Sequence, residues 1–324
     1  MTRRRDVLRV VGGALIACAG VGRGQEKPAG KQSDDQGFTI RTTSRLVLLD
    51  VSVKDPRGGF VSGLAQNNFK VYEDGKLQQI SEFANADIPV TVGLVVDESG
   101  SMRPKRQDVV VAALQFVEAS NPHDEMFVVN FNEHARRGLP DLIPFSDDID
   151  LLRSALWQGD PEGRTALYDA IEMSLHQLSL GRRDKKTLVI VSDGGDNISL
   201  HKFPEVMNDV LASLTTIYTI GIFDEDDPER NPAVLERLAH VSGGVAYFPK
   251  SLQEITPICR RIAKDIRTRY TIGYIPNSEG KPERRIKVVA SDANREKLIV
   301  RTRASYLFMP DTNAAGSAGE TGSK

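Results

Sequence analysis

The run Val90-Thr91-Val92-Gly93-Leu94-Val95-Val96-Asp97-Glu98-Ser99-Gly100-Ser101-Met102 decides the fold. Up to Val96 it is β-branched or apolar almost without interruption, the pattern of a strand buried on both faces of a parallel sheet. The pattern stops at Asp97. Asp97, Ser99 and Ser101 then place oxygen-bearing side chains at alternate positions in the following loop. Open α/β sheets bind ligands in the crevice outside the carboxyl ends of their strands, which is where this loop falls. One carboxylate and two hydroxyls converging there make a hard, oxygen-only set suited to Mg²⁺. The same residue types also cap helices and build turns, so this stretch alone leaves a plain helix cap open.

Downstream the chain alternates strand with helix. Apolar spacing predicts helices over 109–117, 149–157, 165–180, 203–214, 232–240 and 252–266, and strands over 126–131, 187–191, 217–222 and 245–248. Such alternation specifies an α/β, Rossmann-like, doubly wound and mostly parallel sheet with helices on both faces. On either side the rhythm is β only. Residues 45–53, 69–72 and 77–83 read as strands, with Glu73-Asp74-Gly75-Lys76 as a hairpin turn. Residues 270–275, 285–289 and 297–301 read as three more. Each flank is too small to bury a core alone. The economical solution is one small discontinuous β-sandwich with the α/β domain inserted into one of its connections; two unrelated appendages are the alternative. The expected organisation is an export signal over 1–19, a flexible tether over 20–37, sandwich halves over 38–87 and 268–309, an α/β domain over 88–267, and a disordered tail over 310–324.

The 324 residues are 40% hydrophobic and 27% charged, ordinary proportions for a soluble globular chain. A net charge of −2 offers no electrostatic case for nucleic acid. Two cysteines, Cys18 and Cys259, exclude a disulfide scaffold and a cysteine-rich metal site. No run of about 20 apolar residues predicts a membrane-spanning helix. Met1 to Arg5 supplies a positive start and Val10 to Ala19 a short apolar stretch, the pattern of an export signal. Arg4-Arg5-Asp6-Val7-Leu8-Arg9 resembles a twin-arginine signal, with Val7 where Phe is usual. Leu15-Ile16-Ala17-Cys18 resembles a lipobox that would make Cys18 a lipidated first residue; ordinary cleavage after Ala17-Cys18-Ala19 with soluble release is the alternative. Loss of residues 1–17 removes four arginines and one aspartate and moves the net charge from −2 to −5. The expected location is the periplasm or cell envelope, with or without a lipid anchor, or secretion. The one membrane contact expected is through an anchor at Cys18.

Two further loops complete the candidate site. Thr165, in Gly163-Arg164-Thr165-Ala166-Leu167-Tyr168-Asp169-Ala170, stands at a helix start, where its hydroxyl either caps the helix or faces a cation. Asp193 follows the apolar strand 187–191 and so lies at another carboxyl edge. If that strand neighbours 90–96 across a switch point, both aspartates face one crevice. Asp97-x-Ser99-x-Ser101, then Thr165, then Asp193 resembles the metal-ion-dependent adhesion site of the von Willebrand factor A domain (VWFA, or VWA). The flanks resemble a bacterial subgroup, the VWFA-related acidobacterial family. Asn67-Asn68-Phe69-Lys70-Val71-Tyr72-Glu73-Asp74-Gly75 carries that likeness before the α/β block and Tyr270-Thr271-Ile272-Gly273-Tyr274 after it. Arg164 departs from the pattern, standing where the family commonly has a second glycine.

The resemblance implies a metal site of Asp97, Ser99, Ser101, Thr165 and Asp193, with Glu98, Gly100, Arg164 and Asp196 around it. It implies Mg²⁺, with Mn²⁺ or Ca²⁺ as alternatives. Few anionic ligands leave such an ion electrophilic, so an open position takes an Asp or Glu carboxylate from a protein partner. The expected function is therefore metal-dependent adhesion or envelope complex assembly, not enzymatic turnover. Two alternatives stand beside it: a metal-dependent hydrolase using Ser99, Ser101 or Asp97, and a structural envelope protein with a vestigial site. No G-x-S-x-G elbow, paired His or phosphate-cradling loop accompanies the hydrolase reading. Asn197 and Asp169 read as loop and helix-start residues. The acidic run Asp224-Glu225-Asp226-Asp227 lacks calcium-loop spacing, and His123, His134, His176, His201 and His240 lack metal-ligand spacing.

Overall fold

The computed structural model describes residues 46–223, 227–277, 280–292 and 297–308. The expected export signal with Cys18, the tether, the whole tail and three residues of the acidic run lie outside the described residues. The described chain opens with four strands, β1 (Val47–Lys54), β2 (Phe69–Glu73), β3 (Lys76–Gln78) and β4 (Ile80–Ala84). A central block follows: β5 (Val90–Asp97), α1 (Arg106–Ala119), β6 (Glu125–Phe131), β7 (Ala135–Arg137), α2 (Ile149–Leu156), α3 (Leu167–Ser179) and β8 (Lys185–Ser192). It continues through α4 (Phe203–Ser213), β9 (Thr216–Gly221), α5 (Pro232–Ser242), β10 (Ala246–Tyr247) and α6 (Ile255–Arg267). The strands β11 (Tyr270–Tyr274), β12 (Glu283–Ala290), β13 (Ile299–Arg301) and β14 (Ser305–Leu307) close it.

The central sheet has the order β10-β9-β8-β5-β6-β7 and is parallel except for β7, which turns back against β6. Every residue of β5 is buried, as its unbroken apolar run requires of a strand covered on both faces. Gly93 at its centre lets neighbours close in: a Cβ there would lie 2.4 Å from the Phe127 ring and 2.6 Å from Leu188. The helices each bury one stripe. In α3 that stripe includes Leu167, Ala170, Ile171, Leu175 and Leu178 at helical spacing. β5 pairs with β6 on one side and β8 on the other. The chain leaves β5 toward β6 and leaves β8 toward β9, in opposite directions, so the β5/β8 boundary is the switch point where such sheets open a crevice. The edge strand β7 is too short and polar to have been read from sequence.

The remaining strands form two antiparallel sheets, β13-β1-β11-β4 and β14-β12-β2-β3, and both combine strands from before β5 with strands from after α6. Their inner faces share one core that includes Leu49, Val51, Phe69, Val71, Ile272 and Val288, with Phe69 and Tyr270 ring centroids 4.9 Å apart. The turn between β2 and β3 has Asp74 at φ 47° and Gly75 at φ 81°, the mirror-image geometry that two-residue hairpins favour. The run 77–83, read as one return strand, is divided: β3 pairs with β2, whereas β4 pairs with β11 in the other sheet. Leu77-Gln78-Gln79-Ile80-Ser81-Glu82-Phe83 contains no Gly, Pro, Asn or Asp at the crossing, so the division leaves no turn signal in the sequence. β14, three residues long, is likewise too short to be legible in the sequence.

The sandwich meets the α/β block through a buried charge cluster. Asp265, in the last turn of α6, accepts from Ser52 Oγ at 2.6 Å and Tyr218 Oη at 2.8 Å, and faces the guanidiniums of Arg269 and Arg301. Lys185, the first residue of β8, pairs with Asp50 at 3.4 Å. These contacts fall at the amino-terminal edge of the central sheet, the edge opposite Asp97. The sandwich therefore leaves the crevice open.

Candidate functional site

β5 ends at Asp97 and β8 at Ser192, with Val96 paired to Val191, so adjacency of these strands delivers Asp97 and Asp193 to one crevice. Asp97, Ser99 and Asp193 are buried. Asp97 Oδ1 accepts from the Ser99 amide at 2.8 Å, folding the loop back on the strand end. Its Oδ2 accepts from Ser192 Oγ at 2.7 Å. Across the crevice Ser101 Oγ donates to Asp193 Oδ2 at 2.6 Å, and Ser99 Oγ lies 3.1 Å from Ser101 Oγ. The other Asp193 oxygen accepts from the Gly195 amide at 2.9 Å. Gly194 permits this turn, because its φ is +82° and a Cβ would lie 2.4 Å from the Asn231 carbonyl oxygen.

Thr165 arrives on a third loop. The Gly100 amide donates to the Gly163 carbonyl at 3.2 Å and the Ala166 amide to the Asn132 carbonyl at 2.7 Å, docking residues 163–166 against both the first loop and the end of β6. Asn197 clamps Thr165 from the other side, accepting from its amide and donating to its carbonyl, each at 3.0 Å. None of these hydroxyls acts as a helix cap. Ser99 makes no side-chain cap to the turn that follows it, and the N-cap position of α3 is Ala166. The α3 amide of Tyr168 is instead satisfied by Asp196 Oδ2 at 3.0 Å, which also accepts from Ser199 Oγ at 2.5 Å.

The surrounding residues divide. Asp196 is spent on the α3 start, and burial holds its carboxyl above the usual range. Arg164 is exposed and donates to the Asn197 carbonyl. Glu98 contacts Arg106 and Arg136. Asp169 receives the Leu200 and His201 amides and the His201 ring. Residues that sequence reasoning passed over are Ser192, Asn132 and Glu229, the last accepting from Asn197 Nδ2 at 2.7 Å. Ser192 carried a signal, a hydroxyl closing an otherwise apolar strand just before Asp193. Asn132 acts through its backbone carbonyl, and nothing in a sequence marks that.

Electrostatics identify what the crevice lacks. Burial and then the neighbouring charge of Asp193 push the Asp97 carboxyl up to about 7, although Ser192 and Ser99 both donate to it. Among the described residues no Lys, Arg or His forms an ion pair with Asp97 or Asp193. Buried carboxylates are normally paired or coordinate a metal. Two carboxylates with the hydroxyls of Ser99, Ser101 and Thr165 form an all-oxygen donor set that fits a hard divalent cation. Among the described residues no group of three or more His, Cys, Asp or Glu is arranged to hold a metal. Hydroxyls would have to complete any such shell here, and that donor set suits Mg²⁺ or Mn²⁺ better than a soft ion.

Residues 92–195 match the family model of the von Willebrand factor type A domain. A search of the curated proteins returns no match. Among solved structures, a von Willebrand factor type A protein from Catenulispora acidiphila superposes with a TM-score of 0.50 at 15% identity, over 84% of this chain and 76% of that one. At that identity the likeness speaks for the fold alone. Proximal thread matrix protein 1 from the mussel byssus, with a zinc-occupied adhesion motif, gives a TM-score of 0.46 at 16% identity over 60% of this chain and 49% of its own. A pilus adhesin from Lactobacillus rhamnosus GG gives 0.46 at 11% identity over 77% and 49%.

Proposed function

We propose that this chain, whose central block carries a von Willebrand factor type A domain, captures a protein partner through a divalent cation held by Asp97, Ser99, Ser101, Thr165 and Asp193. The observation that carries the reading is the pair of buried carboxylates, Asp97 and Asp193, converging with no cationic partner among the described residues, Asp193 being tied to the first loop by Ser101 Oγ at 2.6 Å. A bound Mg²⁺ would supply an oxygen-seeking centre with a position left for one more ligand. The chain's own part is to orient. Ser192 and the Ser99 amide fix the two oxygens of Asp97, the Gly195 amide fixes Asp193, and Asn197 fixes the Thr165 backbone. Only two of the five proposed ligands are anionic, so an Asp or Glu carboxylate from a partner is the fitting completion. The proposed setting is the cell envelope, on the strength of the charged and apolar start of the chain.

Pull-down from envelope extract in Mg²⁺ or in EDTA, with Asp97→Ala alongside, tests this. Mn²⁺ titration of both proteins runs in parallel. The wild type should bind Mn²⁺ and retain its partner only with metal, and the variant should do neither. Retention of the same partner by the variant in EDTA would sink the reading. Esterase or phosphatase turnover lost in Ser99→Ala would move the site to a hydrolase.

A further inference from the structure

We infer that Glu98, through a buried ion cluster with Arg106 and Arg136, is the positioning residue that sets the spacing of the cation-binding loops; this rests on the cation-site reading above. Glu98 sits between two proposed ligands, Asp97 and Ser99, yet its side chain serves a different purpose. It is 1% exposed, with Oε1 2.8 Å from Arg106 Nη1 and Oε2 3.0 Å from Arg136 Nη2. Arg106 opens α1 and Arg136 lies on the edge strand β7, so one carboxylate ties the β5 loop to two separate elements.

The backbone of the same residue adds two more ties. Its amide donates to the Phe131 carbonyl at 2.6 Å, and its carbonyl accepts from the Glu162 amide at 2.9 Å. The arginines extend the cluster into the loop that delivers Thr165. Arg106 Nη2 donates to the Gln158 carbonyl at 3.0 Å, and neighbouring Arg103 donates to the Pro161 carbonyl at 2.9 Å. Gly159 closes over the pair: its φ is +82°, and a Cβ would lie 2.5 Å from Glu98 Oε2 and 2.9 Å from Arg136 Nη2. Three loops, 97–101, 131–136 and 157–165, are thus referenced to one carboxylate. The Glu98 side chain is 1% exposed and faces both guanidiniums, so the carboxylate and the two cations compensate one another away from water. A carboxamide at 98 would leave Arg106, only 13% exposed, without its counter-charge. The loop carrying Thr165 would then lose its fixed distance from Asp97 and Ser101.

The test compares full-length wild type with Glu98→Gln, and with Arg136→Gln as a milder variant because Arg136 is 45% exposed. Mn²⁺ dissociation constants, melting in EDTA, and hydrogen exchange of the Gly100 and Glu162 amides in EDTA are measured. Residues that orient ligands typically change metal affinity by about 10–100-fold. We expect about tenfold weaker Mn²⁺ binding in Glu98→Gln, a smaller loss in Arg136→Gln, and faster exchange at both amides before any metal is added. Wild-type affinity in Glu98→Gln, or unchanged exchange at both amides, overturns the inference. A lower melting temperature with unchanged Mn²⁺ affinity also overturns it, since that is a purely structural role. A wild type that binds no Mn²⁺ refutes the cation-site reading instead, and the exchange rates then still decide whether Glu98 sets the loops.

Discussion

Replacing Glu73 with leucine should cripple the sandwich, and the structure supplies the size of the effect. Glu73 is the last residue of β2 and is buried, 3% exposed. Its Oε1 lies 2.7 Å from Arg284 Nη1 of β12, itself 2% exposed. Its Oε2 accepts from Tyr274 Oη of β11 at 2.6 Å and Tyr306 Oη of β14 at 2.7 Å. One carboxylate from before the α/β block therefore organises three strands from after it. Removing one partner of a buried pair costs about 3–5 kcal/mol, because the other charge is stranded. Each tyrosine hydroxyl left without an acceptor adds about 1–3 kcal/mol, partly overlapping with that figure. We expect about 5 kcal/mol in all for Glu73→Leu, a large share of the 5–15 kcal/mol that stabilises typical domains, and a melting temperature lower by on the order of 10 °C. Glu73→Leu/Arg284→Met should recover much of the loss, since an apolar pair of similar volume is often neutral. The assay is urea unfolding of wild type, both single variants and the double. A single-variant cost below about 1 kcal/mol, or a double whose cost equals the sum of the singles, would refute the reasoning.

Asp265 titrates below the usual carboxylate range: burial would raise its pKa, but Arg269, Arg301, Ser52 and Tyr218 outweigh burial. Its contribution is therefore complete above the unfolded value of about 4 and is lost as pH falls through the lowered folded value. Asp265→Asn should flatten the acid limb of a stability–pH curve, and an unchanged limb would count against the cluster's role. Asp97→Asn removes one of two repelling buried carboxylates that have no cationic partner among the described residues, so in EDTA it should melt above wild type while losing any rise with Mn²⁺; a lower melting temperature in EDTA would contradict this. Gly93→Ala places a methyl 2.4 Å from the Phe127 ring and 2.6 Å from Leu188, an overpacking worth about 1–3 kcal/mol, to be read from the urea midpoint; a neutral midpoint would mean the core relaxes freely.

Much of this protein was settled by the order of its residues. The unbroken apolar run of β5 forces burial on both faces, and an α/β alternation follows because only crossover helices can cover such a strand. The same run places Asp97, Ser99 and Ser101 just beyond a strand end, where Thr165 and Asp193 make sense as companions. Backbone periodicity and residue chemistry are local, so they survive in one dimension. What the tertiary structure decided is pairing. That β5 and β8 are neighbours, and so share a crevice, depends on the handedness and direction of two crossovers. That residues 77–83 divide between two sheets depends on packing against strands nearly two hundred residues away, with β4 docking on Tyr270–Tyr274. Glu98 is the sharpest instance. In sequence it is a helix-start acid beside two proposed ligands; in the fold it is turned into the protein by Arg106 and Arg136, because a buried carboxylate must find counter-charges and only the folded chain brings them within 3.0 Å.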